Sequence, residues 1–385
     1  MSGWMPGNNR QRHNLNMALN RNTKQLEQDR NHRASDNPLV EDLDAVLSRT
    51  KYLWDDIRKG RLFITGGTGF FGCWLLESFL WANDQLGLQA RATVLTRNPE
   101  AYAKRCPHLA AHPAIQLLSG DISRFEFPNG RFTHVIHAAS MTNQHARENP
   151  IEALETAWNG NLRVLEFVKR SSAKKLLFVS SGAVYGPCIG RRTALKEEDG
   201  VSSLPAGPDS AYGEAKRLGE LVWLLQAAQS RLEVKIARGF TFLGPYLPLN
   251  SHYAAAQFLS AALAGREIVV HGGERVVRSY MYGADLAVWL WTILFRGASS
   301  RAYNVGSEQP VTVKQLARTI AREFKPPIKV VEAAISDEPQ KLNYYVPDTS
   351  RARKELGLKV NVPLSEAIRR TLRWHNMTSG PNATS

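Results

Sequence analysis

The sequence predicts an α/β fold: a doubly wound parallel sheet, followed toward the C-terminus by a smaller domain of mixed α/β character. Two observations predict it. Six short runs, apolar on both faces, alternate with longer segments of helical period, the pattern of buried parallel strands joined by crossover helices. A turn holding Gly66, Gly67, Gly69 and Gly72 joins the first run to the first long helical segment, where a backbone with little side-chain bulk lets strand and helix approach closely.

Composition sets the outer limits. A chain of 385 residues that is 43% hydrophobic and 22% charged can bury a large core and is not of disordered, collagenous or coiled-coil type. Three scattered cysteines, Cys73, Cys106 and Cys188, exclude a disulfide framework and a cysteine-based zinc site; a reducing, cytoplasmic location is expected, with no metal. The net charge of +14 suits an anionic small molecule. No basic run interleaved with aromatics points to nucleic acid, and no stretch reaches the ~18 apolar residues of a membrane span.

Residues 1–36 are rich in Asn, Gln and Arg and lack an apolar leader core; a disordered basic tail is expected. A helical arm over 37–60 follows. Asn37-Pro38 reads as an N-cap and first helical residue, and Leu39, Leu43, Val46 and Leu47 share one face, with Trp54 and Ile57 as further anchors. The body over 61–240 carries the strands Arg61–Thr65, Ala92–Thr96, Ile115–Leu118, His134–His137, Leu176–Ser180 and Val234–Ala237. Over 241–377 short strands, turns and helices mix, with segments expected to return to the main sheet; 378–385 reads as a tail.

The glycine turn, Thr65-Gly66-Gly67-Thr68-Gly69-Phe70-Phe71-Gly72, has a strand before it and a helical segment, Cys73–Leu86, after it. In a Rossmann-type sheet this is where a dinucleotide's pyrophosphate meets free N–H groups and the positive end of a helix. Gly66, Gly69, Phe70, Phe71 and Gly72 are therefore candidate cofactor contacts. The second strand runs into Arg97, where an acidic residue would hold a ribose 2′-hydroxyl and an arginine suits a 2′-phosphate; NADP is favoured over NAD. Asp121 and Ile122 after the third strand, and Ala138 and Ala139 after the fourth, complete the candidate cofactor site.

Ser181 ends the fifth strand, and Tyr212 and Lys216 stand four residues apart on a later helical segment. Side chains at that spacing share a helix face. An ammonium near a phenol favours phenolate, and a hydroxyl beside both can hold the oxygen whose proton is moved. The candidate catalytic set is Ser181, Tyr212 and Lys216, the last two also touching the cofactor.

From about Arg61 to His375 the chain resembles an extended short-chain dehydrogenase/reductase of the NAD(P)-dependent nucleotide-sugar epimerase/dehydratase family. Beyond the motifs above, the resemblance rests on Arg238-Gly239-Phe240-Thr241-Phe242-Leu243-Gly244-Pro245, Arg278-Ser279-Tyr280-Met281-Tyr282-Gly283-Ala284-Asp285-Leu286, Tyr303-Asn304-Val305-Gly306 and Asp348 to Gly357. It implies that 241–377 holds a nucleotide-diphosphate sugar, with Arg278 at its diphosphate and Thr241, Asn143 and His145 as further substrate contacts. It also implies a homodimer, for which 150–171 and 210–229 are the candidate helices.

Departures from the family narrow the chemistry. Its 4,6-dehydratases carry Asp-Glu after the catalytic hydroxyl residue, and its UDP-glucuronate decarboxylases a Glu at the second position; here stand Gly182 and Ala183, which carry no proton. Thr241, Ala157 and Ser279 replace an Asn, an Asn and an Asp usual in the family. The segment 189–209, with Arg191 and Arg192, is long for the family and reads as a lid or substrate loop. Cys188 reads as a spectator thiol, and His145 and Glu214 as the remaining candidates for a further acid or base. The expected activity is hydride transfer at C4, as 4-epimerisation or 4-keto reduction. The alternatives are a dehydratase or decarboxylase of the same family and, in another class, a non-catalytic NAD(P)-binding scaffold or regulator.

Overall fold

The computed structural model describes residues 37–141, 143–200, 207–271, 273–333 and 341–378. The expectations for the 1–36 tail, for 201–206 of the long loop and for 379–385 lie outside the described residues. Two compact units divide between Ala45 and Val46. In the first, Asn37 Oδ1 accepts the Leu39 N–H at 2.8 Å, ahead of the helix Val40–Thr50. The second is built on one large sheet.

Its strands are β1 (Arg61–Thr65), β2 (Arg91–Thr96), β3 (Ile115–Ser119), β4 (His134–His137), β5 (Lys175–Ser181), β6 (Glu233–Gly239) and β7 (Arg301–Val305). They lie in the order β7-β6-β5-β4-β1-β2-β3, and every neighbouring pair is parallel. This is a Rossmann-type doubly wound sheet. Strand order reverses between β1 and β4, which opens a crevice beyond their carboxyl ends. Thr65 at the end of β1 stands opposite His137 at the end of β4.

The principal helices are α1 (Phe70–Leu86), α2 (Pro150–Arg170), α3 (Ala211–Ala228) and α4 (Gly283–Arg296). On one sheet face Phe63, Phe125, Phe132 and Phe167 form a single aromatic cluster with Trp223 and the strand valines and leucines. Elsewhere Trp54 meets Trp291 at 4.7 Å between ring centroids, and Trp291 Nε1 donates to Ser78 Oγ at 2.8 Å, so α4 is tied to α1. Rings of this size bury much apolar area, and the indole N–H groups find acceptors.

β7 was not among the strands expected from apolar runs. Its sequence, Arg-Ala-Tyr-Asn-Val, puts Asn304 fully inside. Asn304 Oδ1 accepts from Tyr185 Oη at 2.7 Å and its Nδ2 donates to Leu195 O at 2.8 Å. Those partners offset the desolvation that would bar a lone buried amide.

Past β6, the strands outside the large sheet are short. Phe242–Leu243 pairs with Met281–Tyr282, and Val276–Arg278 lies between Val311–Thr312 and Asn343–Tyr344. The last pairing carries Arg278 and Tyr345 toward the end of β5, with Tyr345 N donating to Val277 O at 3.0 Å. Among the described residues, no helix is long and apolar enough to cross a membrane.

Candidate active site

The glycine turn sits at the crevice. Gly66 has φ +72°, and a Cβ there would lie 2.6 Å from the Ala138 carbonyl carbon and Ala139 nitrogen; only glycine allows β1 and β4 to come this close. A Cβ on Gly72 would lie 2.3 Å from Gly67 Cα, so this glycine seats α1 against the turn. Gly69 differs: its Cβ would meet nothing nearer than Gly66 O at 3.6 Å. The turn is thus open at Gly69, where the first-turn N–H groups of α1 have no intrahelical acceptor, and it fits a dinucleotide pyrophosphate. The Phe71 ring packs edge-on against Phe242 at 4.9 Å, with Phe70 beside it.

Arg97 is exposed just past β2. Asp121 accepts from Ser123 N at 2.9 Å; the Ser123 hydroxyl bond, aided by the charges of Arg124 and Arg97, holds its carboxyl below the usual range. The Ile122 side chain packs against the core and onto Gly160. Ala139 N donates to Thr65 Oγ1 at 3.1 Å, which also meets His137 Nδ1 at 2.7 Å. Burial and the Lys216 charge push His137 down to about 3, so it is neutral. Sequence reasoning missed Arg105, whose guanidinium donates to the Thr68 carbonyl of the turn.

The structure brings Ser181, Tyr212 and Lys216 together at the end of β5. Ser181 Oγ accepts the Ala183 N–H at 3.1 Å. Tyr212 stands in the first turn of α3, near the hydroxyls of Ser181 and Ser140. Lys216 Nζ lies 5.9 Å from the Tyr212 ring centroid and donates to Val179 O at 2.8 Å. Burial pushes Lys216 down to about 8, with Glu220 opposing. The expected depression of the phenol by the lysine is not what the site shows. Burial dominates and pushes Tyr212 up to about 12, with Tyr253 reinforcing it and the two serines opposing. The phenol is therefore held protonated at neutral pH.

Behind Ser181 lies a buried polar group that sequence reasoning also missed. Arg238 donates to both Glu220 oxygens, at 2.9 and 2.7 Å. Glu220 also accepts from Ser180 Oγ at 2.5 Å, and Arg238 reaches Tyr185 Oη at 3.0 Å. A buried ion pair satisfied on both sides holds this end of β5 to α3 and β6.

On the substrate side, Arg278 Nη1 donates to Val277 O at 2.8 Å and to Asn343 O and Oδ1, each at 3.1 Å. Its Cζ lies 5.7 Å from the Tyr345 ring centroid. The sequence held no signal for Tyr345, because what places it is a glycine far away in the chain: a Cβ on Gly182 would lie 2.4 Å from Tyr345 Oη.

Several of the other candidates are engaged with partners of their own. The Thr241 hydroxyl donates to the Ser279 carbonyl. Asn143 and His145 lie on the helix Asn143–Glu148, and His145 pairs with Glu152 at 3.5 Å. Glu214 pairs with Arg217. Cys188 is buried, which pushes its thiol up.

The description "NAD dependent epimerase/dehydratase family" is that of a family model matching residues 62–306. UDP-glucuronic acid decarboxylase 1 of Xenopus tropicalis is 29% identical over 328 residues, 84% of this chain and 74% of that protein. UDP-glucuronic acid decarboxylase 6 of Arabidopsis thaliana is 28% identical over 312 residues, 80% and 86% of the two chains. Among solved structures, UDP-glucose 4-epimerase of Thermotoga maritima with UDP-glucose superposes with a TM-score of 0.72 at 21% identity, covering 83% of this chain and 100% of that one. A dTDP-glucose 4,6-dehydratase of Streptomyces venezuelae with NAD bound gives 0.69 at 21%, covering 83% and 98%. The structures share the fold, and the family match spans more than half of the sequence: the chain belongs to the NAD dependent epimerase/dehydratase family.

Proposed function

We propose that this enzyme transfers hydride at C4 of a nucleotide-diphosphate sugar, by 4-keto reduction or 4-epimerisation. One observation carries the reading: Ser181, Tyr212 and Lys216 converge at the end of β5 while the two following positions, Gly182 and Ala183, offer no group able to move a proton. A bound nicotinamide dinucleotide would supply the hydride donor or acceptor. Tyr212, protonated at neutral pH, gives its proton to the C4 oxygen as the ketone becomes an alcohol. Ser181 holds the same oxygen. Lys216, charged below about pH 8, stabilises the phenolate that remains. A phenol that starts protonated suits the reductive direction first, and epimerisation requires the reverse transfer as well.

Arg97 and Arg105 beside the turn support NADP over NAD. Arg278 is proposed as a diphosphate contact, for which a guanidinium fork is suited, and Thr241, Asn143 and His145 as sugar or nucleotide contacts. A homodimer through α2 and α3 is supported by Ile151, Trp158, Leu221 and Leu225, which stand exposed on those helices.

Decarboxylation is the second reading, supported by the similarity to the UDP-glucuronic acid decarboxylases. Once C4 of a uronic acid is a ketone, the carboxylate at C5 is that of a β-keto acid, and CO2 can leave without a carboxylate at 182 or 183. The test is NMR of products from a panel of UDP-, dTDP-, GDP- and CDP-sugars, with NADPH oxidation and CO2 release followed in parallel. A C4-reduced or C4-inverted sugar supports the first reading. A pentose with CO2 supports the second, and no turnover of any sugar alongside normal dinucleotide binding overturns both.

A further inference from the structure

We propose that a cavity at the amino ends of β1, β2 and β3 is a second anion-binding site, for a small phosphate-bearing molecule, at the opposite end of these strands from the dinucleotide crevice. The cavity has a volume of about 440 Å³ and is lined by Arg61, Arg91, Thr93 and Gln116, with Pro113 and Ala114 among its walls. Register explains how four polar side chains come to share it. Arg61 pairs with Arg91, and Thr93 with Gln116. Arg91 and Thr93 stand two residues apart on β2, and alternate residues of a strand face the same way. All four side chains therefore stand on one face of three neighbouring strands, with β3 at the edge of the sheet. The other ends of β1 and β2, Thr65 and Thr96, lead to the glycine turn and to Arg97. The site is thus separate from Ser181 and Tyr212, and the proposal stands whether or not their proposed reaction does.

The lining calls for a negative ligand. Two guanidinium groups are carried side by side on strands about 4.8 Å apart, where like charges repel, and none of the described lining residues is acidic. Arg61 is held in place: its Nη1 donates to Asn129 O at 2.8 Å, and its Cζ lies 4.3 Å from the Phe132 ring centroid. The loop beside it is shaped to admit the guanidinium, since a Cβ on Gly130, at φ +101°, would lie 2.1 Å from the same nitrogen. Its Nε and Nη2 have no acceptor among the described residues. The Arg91 guanidinium is exposed and has none either. Thr93 Oγ1 reaches Gln116 Oε1 at 3.5 Å, which leaves the amide nitrogen of Gln116 as a further donor. Donors and positive charge converge here with no acid to balance them. A guanidinium fork matches phosphate oxygens in pairs, and the volume lies within the range of roughly 300–1,000 Å³ for small-molecule sites, so a phosphate carried on a small organic group fits.

The test is calorimetric titration of inorganic pyrophosphate into the enzyme saturated with its dinucleotide, for wild type, Arg91→Gln and Arg278→Gln. Saturation fills the glycine turn, and Arg278→Gln removes the proposed phosphate contact on the substrate side. Arg278→Gln should retain a pyrophosphate site that Arg91→Gln weakens at least about tenfold, the scale of a lost hydrogen bond to a charged group. Thermal unfolding gives a second readout. Without added anion, Arg91→Gln should melt at or above the wild-type Tm, because a repulsion has been removed. In the Arg278→Gln background pyrophosphate should raise Tm, and adding Arg91→Gln should abolish that rise. Equal affinity in wild type and Arg91→Gln, or no binding by wild type, would overturn the proposal. Loss of all binding in Arg278→Gln would place the anion on the substrate side alone and overturn it too. An Arg91→Gln variant that melts well below wild type in anion-free buffer would show that this guanidinium serves the fold, and would remove the unbalanced charge on which the site rests.

Discussion

Lys216 Nζ donates to the carbonyl oxygen of Val179 at 2.8 Å, which ties the helix carrying Tyr212 to the strand carrying Ser181 two residues before the strand ends. This ammonium therefore also sets the register between phenol and serine. It does so at a cost, since burial pushes Lys216 from its ordinary 10.5 down to about 8.

The cost has a sign that can be measured. A lysine whose folded value lies below its unfolded one destabilises the fold while charged. The penalty is full below about pH 8 and fades as pH rises from 8 toward 10.5. Lys216→Met should lose at least ~10² in turnover, yet gain about 1–2 kcal/mol of stability at pH 7 after the lost Val179 bond is discounted. Denaturant unfolding at pH 7 and pH 10 checks this. The gain should shrink at the higher pH, and a loss of stability at pH 7 would contradict the assignment of a buried charge.

Tyr212→Phe should lower turnover by ~10²–10⁴, the range for a positioned proton donor, while dinucleotide affinity by fluorescence titration stays within a few-fold. A variant with ordinary kcat would remove Tyr212 from the reaction.

Much of this site could be read from the sequence because local rules place it. The turn over Thr65 to Gly72 announces itself by glycines between an apolar strand and a helix. Ser181 closes an apolar run, and Tyr212 and Lys216 share a face by spacing alone. What could not be read depends on partners far apart in the chain. β7 looks too polar to be a strand until Tyr185 and Leu195 are seen to satisfy Asn304. The pairing of Glu220 with Arg238 shows only once α3 and β6 are packed together. Tyr345 has no local signature, because it is defined by the missing side chain at Gly182. The ionisation of Tyr212 was misjudged for the same reason: spacing shows a neighbouring lysine, and only the packed site shows that burial outweighs it.

The proposed preference for NADP makes a direct prediction. Arg97 is exposed at the end of β2, and its charge already reaches Asp121. Arg97→Ala should weaken NADP binding about tenfold, the scale of a lost charge-assisted contact, and leave NAD within about twofold. Isothermal titration with both dinucleotides decides it, and equal losses for the two would show that Arg97 does not touch a 2′-phosphate.

Leu221 and Leu225 stand one helical turn apart on α3 with more than half of their surface exposed, and Trp158 and Leu162 are exposed on α2, which packs against α3. Apolar side chains in such a row gain by burial against a second copy. Leu221→Glu/Leu225→Glu should convert a dimer to a monomer in light scattering. Wild-type protein that already runs as a monomer at tens of micromolar would sink the proposal.

At the opposite end of the sheet, Asp56 accepts from His134 Nε2 at 2.9 Å and from Lys175 Nζ at 2.5 Å. Burial alone would raise its carboxyl, but these two bonds outweigh it and hold the group at about 2. A carboxyl depressed in the fold stabilises above its unfolded value, near 3.8, and that contribution is lost as pH falls from there through about 2. Asp56→Asn should therefore cost about 1–2 kcal/mol at pH 6, with part of the shift discounted for solvent screening at this partly open site. The gap between wild type and variant in urea midpoint should be constant from pH 6 to pH 5 and should narrow below pH 4. A gap that stays constant down to pH 2.5 would mean that the carboxylate's charge contributes nothing and that the two bonds act only through geometry.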